Sequence, residues 1–194
     1  EPITPTIVTR AKDIAPGTVI GSLVWDISSS WVCFVVLSWM IVNLVVGSRL
    51  GESTLLPGDE DGNDYFTRSC LTWRIDGKTY PELTPALRLR LGPSSVARLA
   101  PKGAKADPWG TCHGTEPIIL PYRDEPLNAA KQLAELELRW PCSGAARKDL
   151  PLFCNERGQP FSAQTFRHII MIVLRYLLGQ EADKYSPHSW RVWL

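Results

Sequence analysis

The uncharged stretch from Ile27 to Ser48 constrains the fold of this chain more than any other feature. It is 22 residues long, and a helix of that length is long enough to span a bilayer. Its most apolar part, Trp31–Val46, has only 16 residues, and Asn43 and several serines interrupt the stretch. No cluster of Lys or Arg marks a membrane interface beside it. We therefore predict a buried core helix and no membrane partner; the alternative is a membrane protein anchored by residues 27–46.

The composition of the chain is that of an ordinary folded domain. Its 194 residues are 44% hydrophobic and 21% charged, which is enough for one core and argues against disorder. The net charge is +1, so no overall basic excess indicates nucleic acid. We expect a single domain over residues 1–194 that is incomplete at its C-terminus.

The cysteines indicate neither a disulfide framework nor a metal site. They are scattered along the chain without a Cys-x-x-Cys pair, which favours a reducing compartment. Cys112 and His113 are adjacent, and adjacent residues rarely bind one ion together. We predict no metal and no cofactor.

Hydrophobic periodicity predicts an α+β fold, mainly helical with a small antiparallel sheet or hairpin. The chain divides into a helical part (1–50), a β-ribbon region (70–120) and a second helical part (125–194). The helices expected are Pro5–Asp13, Ser30–Val46, Glu125–Trp140, Ala163–Leu178 and one that begins near Pro187. The strands expected are Thr72–Ile75, Leu87–Leu91, Val96–Leu99 and Ile118–Leu120, with a hairpin turn at Asp76-Gly77.

The β-ribbon region contains a local concentration of positive charge. From Leu83 to Ala106 there are five bases and no acid. Such a ribbon suits contact with phosphate, and a solvated sheet face explains the charge equally well. The candidates for contact with a DNA backbone are Arg88, Arg90, Arg98 and Lys102.

Two short motifs stand on either side of this ribbon. Arg49-x-x-Glu52 follows the apolar helix, and His188-x-x-Arg191 comes near the end of the chain. Two guanidiniums can hold the non-bridging oxygens of one phosphodiester, a lysine can protonate a leaving oxygen, and a histidine can transfer protons near neutral pH. Each motif alone is weak, but in this order the motifs describe a site for phosphoryl transfer.

In this order the motifs resemble those of the catalytic domain of tyrosine recombinases, the phage-integrase family, including those of mobile elements. The resemblance covers about residues 4–194. It implies Arg49, Lys105, His188 and Arg191 as catalytic residues, with Glu52 as a supporting residue behind Arg49. Lys102 competes with Lys105 for the hairpin position. Neither Tyr176 nor Tyr185 matches the family's tyrosine nucleophile, which follows the His-x-x-Arg motif.

The resemblance implies DNA strand cleavage and rejoining through a 3′-phosphotyrosyl intermediate, without metal or ATP. It also implies double-stranded DNA as the partner, a homotetramer on DNA, and an intracellular location with DNA: the nucleus in a eukaryote, the cytoplasm or nucleoid in a bacterium or phage. Two further alternatives remain, a catalytically inactive DNA-binding relative and a mixed α+β domain in which the motifs are coincidental.

Overall fold

Helices and a small sheet make up the chain in the computed structural model, which describes residues 3–48, 50, 53–55, 65–100 and 116–185. The helices are α1 (Pro5–Lys12), α2 (Trp31–Val46), α3 (Pro85–Arg88), α4 (Ala129–Arg139) and α5 (Ala163–Leu178). The strands are β1 (Thr18–Ile20), β2 (Leu23–Trp25), β3 (Leu71–Ile75), β4 (Lys78–Tyr80), β5 (Val96–Leu99) and β6 (Ile118–Pro121). The predicted α+β class is confirmed.

Helix α2 lies at the centre of the core, as its sequence predicts. The Ser30 hydroxyl accepts a hydrogen bond from the Cys33 amide at the first turn, and Gly47 ends the helix with a left-handed φ of 61°. Most of its residues are buried on every side, which explains the nearly continuous apolar run. Within the described part of the chain, no helix is long and apolar enough to cross a membrane.

Helix α4 packs antiparallel against α2. The Gln132 carboxamide donates a hydrogen bond to Ser38 Oγ at 2.8 Å, near the middle of both helices. At the other end, the Arg139 guanidinium lies 3.9 Å from the centre of the Phe34 ring and donates to the carbonyl of Ile27 at 3.0 Å. This arrangement places the C-terminal end of α2 beside the N-terminal end of α4.

Four antiparallel strands form the main sheet, in the order β4-β3-β5-β6. Asp76 and Gly77 link β3 to β4 with positive φ values of 50° and 78°, so the predicted hairpin is confirmed. Alternate residues such as Trp73, Leu99 and Leu120 are buried against the helices. The opposite side of the sheet carries the half-buried and exposed residues of each strand.

One predicted strand is wrong. The alternating leucines of 87–91 do not form a strand, because α3 and the turn that follows it occupy these residues. The Thr84 hydroxyl accepts a hydrogen bond from the Leu87 amide at 3.2 Å, and Pro85 occupies the first helical turn. A local helix start therefore overrides the period-two pattern.

Two further differences are smaller. Helix α4 begins at Ala129 rather than at Glu125, because Asn128 caps it by accepting a hydrogen bond from the Lys131 amide at 2.9 Å. A hairpin, β1–β2, occupies the region after α1, where no strand was predicted. Its turn contains Gly21, whose φ of 57° suits a two-residue hairpin loop. The helix expected from Pro187 lies outside the described residues.

Candidate functional site

The C-terminal end of α2 leads into the first motif through a buried polar turn. The Asn43 carboxamide oxygen accepts hydrogen bonds from the amide and the hydroxyl of Ser48, at 2.8 and 2.6 Å. Both residues are almost fully buried, with 1% and 7% of their surface exposed. The residue just before Arg49 is thus fixed from inside the core.

The other side of the motif is held in the same way. Ser53 Oγ lies 3.4 Å from Ser48 Oγ, and the Ser53 amide donates to the carbonyl of Leu50 at 3.0 Å. The Thr54 hydroxyl donates to the same carbonyl at 2.7 Å. We call Asn43, Ser48, Ser53 and Thr54 the polar floor. Because the floor holds residues on both sides of the motif, it fixes the two ends of the segment that contains Arg49 and Glu52.

Leu55, which follows the first motif, is hydrogen-bonded to the start of α5, the helix that precedes the second motif. The Leu55 amide donates to the carbonyl of Phe161 at 2.8 Å, and the Ala163 amide donates to the carbonyl of Leu55 at 2.9 Å. Leu55 therefore pairs with the residues that start α5. Sequence positions more than 100 residues apart become direct neighbours here.

The two candidate lysines belong to the connection between β5 and β6. These strands pair antiparallel, and the last pair before the connection is Leu99 with Ile118. Residues 101–115 therefore link the two strands of a hairpin. The predicted site residues that lie outside the described residues are Arg49, Glu52, Lys102, Lys105, His188 and Arg191.

Two of the DNA-backbone candidates are already paired with acids. Arg88 forms an ion pair with Glu135 at 2.5 Å. Arg90 forms one with Asp76 at 2.8 Å. Both pairs are partly exposed. Because each arginine is paired, the acid beside it offsets the positive charge that the sequence presents. Arg98 on β5 has no acid partner among the described residues. Neither has Arg74 on β3, which was not among the candidates for DNA contact that the sequence predicted.

A buried charge cluster, which was not predicted from the sequence, lies between α4 and the sheet. Glu137 on α4 accepts hydrogen bonds at one carboxylate oxygen from the Trp73 indole (2.7 Å) and the Leu83 amide (2.9 Å). Its other oxygen accepts from Arg147 and lies 4.0 Å from Arg68. All three charged residues are at least 96% buried. Burial lowers the pKa of Arg68 to about 10, and the nearby Glu137 carboxylate opposes this shift.

This cluster joins separate elements. Arg147 donates to the carbonyls of Arg68 and Leu71 at 2.7 and 3.1 Å, and Arg68 donates to the carbonyl of Leu136 at 3.2 Å. The cluster thus fastens α4 to β3 and to the turns on either side. Because both carboxylate oxygens of Glu137 accept hydrogen bonds from the protein itself, we interpret the arrangement as structural. No periodicity or local motif could have revealed it, since its members come from three distant segments.

A surface cavity of about 170 Å³ opens beside this cluster. Glu137 and Arg147 form part of its wall, but their polar atoms face one another and backbone groups. Glu82 supplies one buried carboxylate oxygen without a hydrogen-bond partner. One carboxylate oxygen is too little to define a binding site. Within the part of the chain that the structure describes, no group of three or more His, Cys, Asp or Glu could hold a metal ion.

No protein-family model, no curated protein and no solved structure matches this chain. The functional assignment therefore rests on the motifs themselves and on the frame that carries them. That frame consists of the polar floor, the β5–β6 hairpin and the junction between Leu55 and the start of α5.

Proposed function

We propose that the chain is the catalytic domain of a tyrosine recombinase, which cuts and rejoins DNA at specific sites. The observation that carries the proposal is the order of its parts. An Arg-x-x-Glu motif follows the buried helix α2, two lysines occupy the connection of the β5–β6 hairpin, and a His-x-x-Arg motif follows α5. A chance combination would have no reason to place the lysines in a hairpin connection.

In the proposed reaction, the hydroxyl oxygen of a tyrosine outside residues 1–194 attacks a DNA phosphorus atom, and its proton passes to His188 or to water. A bond forms between that oxygen and phosphorus, and the bond to the 5′-oxygen breaks. Arg49 and Arg191 stabilise the extra negative charge on the phosphate oxygens. Lys105 gives its proton to the leaving 5′-oxygen. The phosphodiester energy is retained in the phosphotyrosyl bond, so rejoining needs neither ATP nor metal.

The other two residues have supporting roles. His188 holds the phosphate or assists proton transfer, and its spacing of three from Arg191 suits one face of a helix. Glu52 positions the Arg49 guanidinium, and the polar floor supports this function because it fixes the backbone on both sides of the motif. Double-stranded DNA is the proposed partner, and the family's arrangement is a homotetramer on DNA.

The test uses a longer form of the protein that includes a downstream tyrosine. It is incubated with labelled duplex DNA that carries the flanks of its own gene, and covalent protein–DNA adducts are counted on a denaturing gel. We expect Arg191→Ala to lower adduct formation by about 10²-fold or more, as loss of one preorganised charge stabiliser does. The melting temperature should be unchanged.

The matched control is Arg167→Ala, which removes an exposed arginine of α5 that has no side-chain partner among the described residues. It should leave adduct formation intact. The proposal fails if no form of the protein with a downstream tyrosine makes adducts. DNA binding without adducts would instead identify an inactive DNA-binding relative.

A further inference from the structure

The solvent side of the four-stranded sheet carries two neighbouring rows of side chains. One row crosses β3, β5 and β6 and consists of Thr72, Arg98 and Ile119. The next row consists of Thr79, Arg74, Val96 and Pro121. We call these seven residues the outer face. On β3, β5 and β6 they alternate with buried residues and therefore point away from the core, and Thr79 on β4 is placed on the same side by its pairing with Arg74.

The outer face carries two arginines, and none of its own seven residues is an acid. Neither row contains Asp or Glu, and neither Arg74 nor Arg98 makes an ion pair or a side-chain hydrogen bond with any described residue. The two arginines lie diagonally across β3 and β5, so their side chains start about 7–8 Å apart. This contrasts with Arg88 and Arg90, which are paired with acids. Of the four arginines between residues 71 and 100, Arg74 and Arg98 are thus the two without an acid partner among the described residues.

The position of the outer face matters as much as its charge. The row that contains Arg98 lies one residue from the Leu99–Ile118 pair, where residues 101–115 leave the sheet. Ile119, which is 49% exposed, adds an apolar surface beside Arg98 on the edge strand β6. Arginines and an apolar side chain on one open face suit the phosphates and sugars of a DNA backbone.

We propose that the outer face binds the sugar–phosphate backbone of duplex DNA, with Arg74 and Arg98 each contacting a phosphate. The proposal rests on the proposed function for its choice of duplex DNA as the partner. It adds Arg74, and it separates Arg74 and Arg98 from the paired Arg88 and Arg90. The binding is independent of sequence, because phosphate contacts position a duplex without identifying its bases.

The experiment measures binding of this chain to a labelled 30-base-pair duplex of arbitrary sequence, at a series of KCl concentrations. Each phosphate contact contributes about 0.9 to the slope of log K against log salt concentration. We expect the double variant Arg74→Gln/Arg98→Gln to reduce that slope by about 2. Arg74→Lys/Arg98→Lys keeps both charges and should restore most of it.

The control is the double variant Arg157→Gln/Arg167→Gln. It removes the same charge from two exposed arginines that have no side-chain partners among the described residues and lie off the sheet. Its salt slope should equal that of the unaltered chain. Equal reductions in both double variants would indicate a general charge effect and would overturn the proposal, as would no reduction in either. If Arg74→Gln/Arg98→Gln melts early, Arg74→Gln alone should reduce the slope by about 1.

Two other occupants of the outer face are tested in addition: single-stranded RNA and a second copy of this chain. Stronger competition by single-stranded RNA than by the duplex would overturn the proposal. The proposal would also be overturned if this chain forms a dimer in sedimentation and Arg74→Gln/Arg98→Gln converts the dimer to a monomer. The two proposals can fail separately. If the salt slope depends on Arg74 and Arg98 but no form with a downstream tyrosine makes covalent adducts, the outer face binds DNA and the recombinase proposal is wrong. If adducts form but the salt slope does not depend on Arg74 and Arg98, the recombinase proposal stands and the DNA-binding proposal for the outer face is wrong.

Discussion

Asn43 is a polar side chain within the apolar run of α2, and its carboxamide nitrogen is buried without a hydrogen-bond partner. Burying such a group is unfavourable, so its oxygen must provide compensation. That oxygen holds both the amide and the hydroxyl of Ser48, immediately before Arg49. We infer that the role of Asn43 is to fix the start of the first motif.

This gives a prediction for Asn43→Leu, which keeps the approximate volume and removes both hydrogen bonds. The Ser48 amide and hydroxyl would lose their acceptor inside the core, at a cost of about 1–3 kcal/mol in the free energy of unfolding. Urea denaturation measures this loss. Hydrogen exchange at the Ser48 amide should become faster. If stability and exchange at Ser48 both stay as they were, Asn43 does not hold the turn.

Asp26 gives a prediction about pH. Its carboxylate accepts hydrogen bonds from the hydroxyls and amides of Ser28 and Ser29, and the Ser28 hydroxyl bond contributes most to holding its pKa well below the usual range. A carboxyl group with a lowered pKa in the folded state stabilises the fold above its ordinary pKa of about 3.9. That stabilisation is lost as the pH falls below this value.

We therefore expect Asp26→Asn to flatten the fall in melting temperature between about pH 5 and pH 2. The comparison variant is Asp13→Asn, which changes an exposed carboxylate that accepts no hydrogen bond from a described residue. Melting curves of both variants across this range decide the matter. If the melting temperature of Asp26→Asn falls as steeply below pH 5 as that of the unaltered chain, Asp26 does not cause the loss of stability in acid.

At the scale of elements, the joint between α4 and the sheet depends on one buried carboxylate. Glu137→Gln keeps the shape of the side chain but leaves Arg68 and Arg147 as buried cations without a counter-charge. Removing one partner of a buried ion pair costs about 3–5 kcal/mol. We expect a loss of that size in chemical denaturation.

A matched control lies two residues away on the same helix. Glu135→Gln breaks the partly exposed ion pair with Arg88, which should cost about 0–1 kcal/mol because water screens it. Equal effects of Glu135→Gln and Glu137→Gln would show that the buried cluster does not fasten the sheet to α4.

Elements with both caps in the sequence were predicted accurately. Ser30 and Gly47 bound α2, and Ser162 and Gly179 bound α5, as expected. The leucine alternation at 87–91 failed because the cap at Thr84 and Pro85 acts locally and is stronger than a pattern of five residues. The hairpin β1–β2 was missed although Gly21 lies between the short apolar runs Thr18-Val19-Ile20 and Leu23-Val24-Trp25, so this turn signal was present in the sequence.

At the scale of the whole molecule, the fold class followed from periodicity, but the pairing of charges did not. Arg88 and Arg90 look equivalent to Arg98 in the sequence, and only the tertiary structure brings an acid to each of them. Arg74 stands outside the basic segment of the sequence, and strand register alone places it near Arg98. The sequence shows how many charged residues a segment contains, whereas the structure shows which of them have an oppositely charged partner.

The strand order of the main sheet affects how the protein behaves at high concentration. Its outermost strands are β4 and β6, with three and four residues. Lys78 lies on one of them, and Pro121, which has no amide hydrogen, ends the other. Short edges that carry a charge or a proline are poor templates for a further strand. The sheet can therefore leave one face open to solvent without offering its edges to fibril growth.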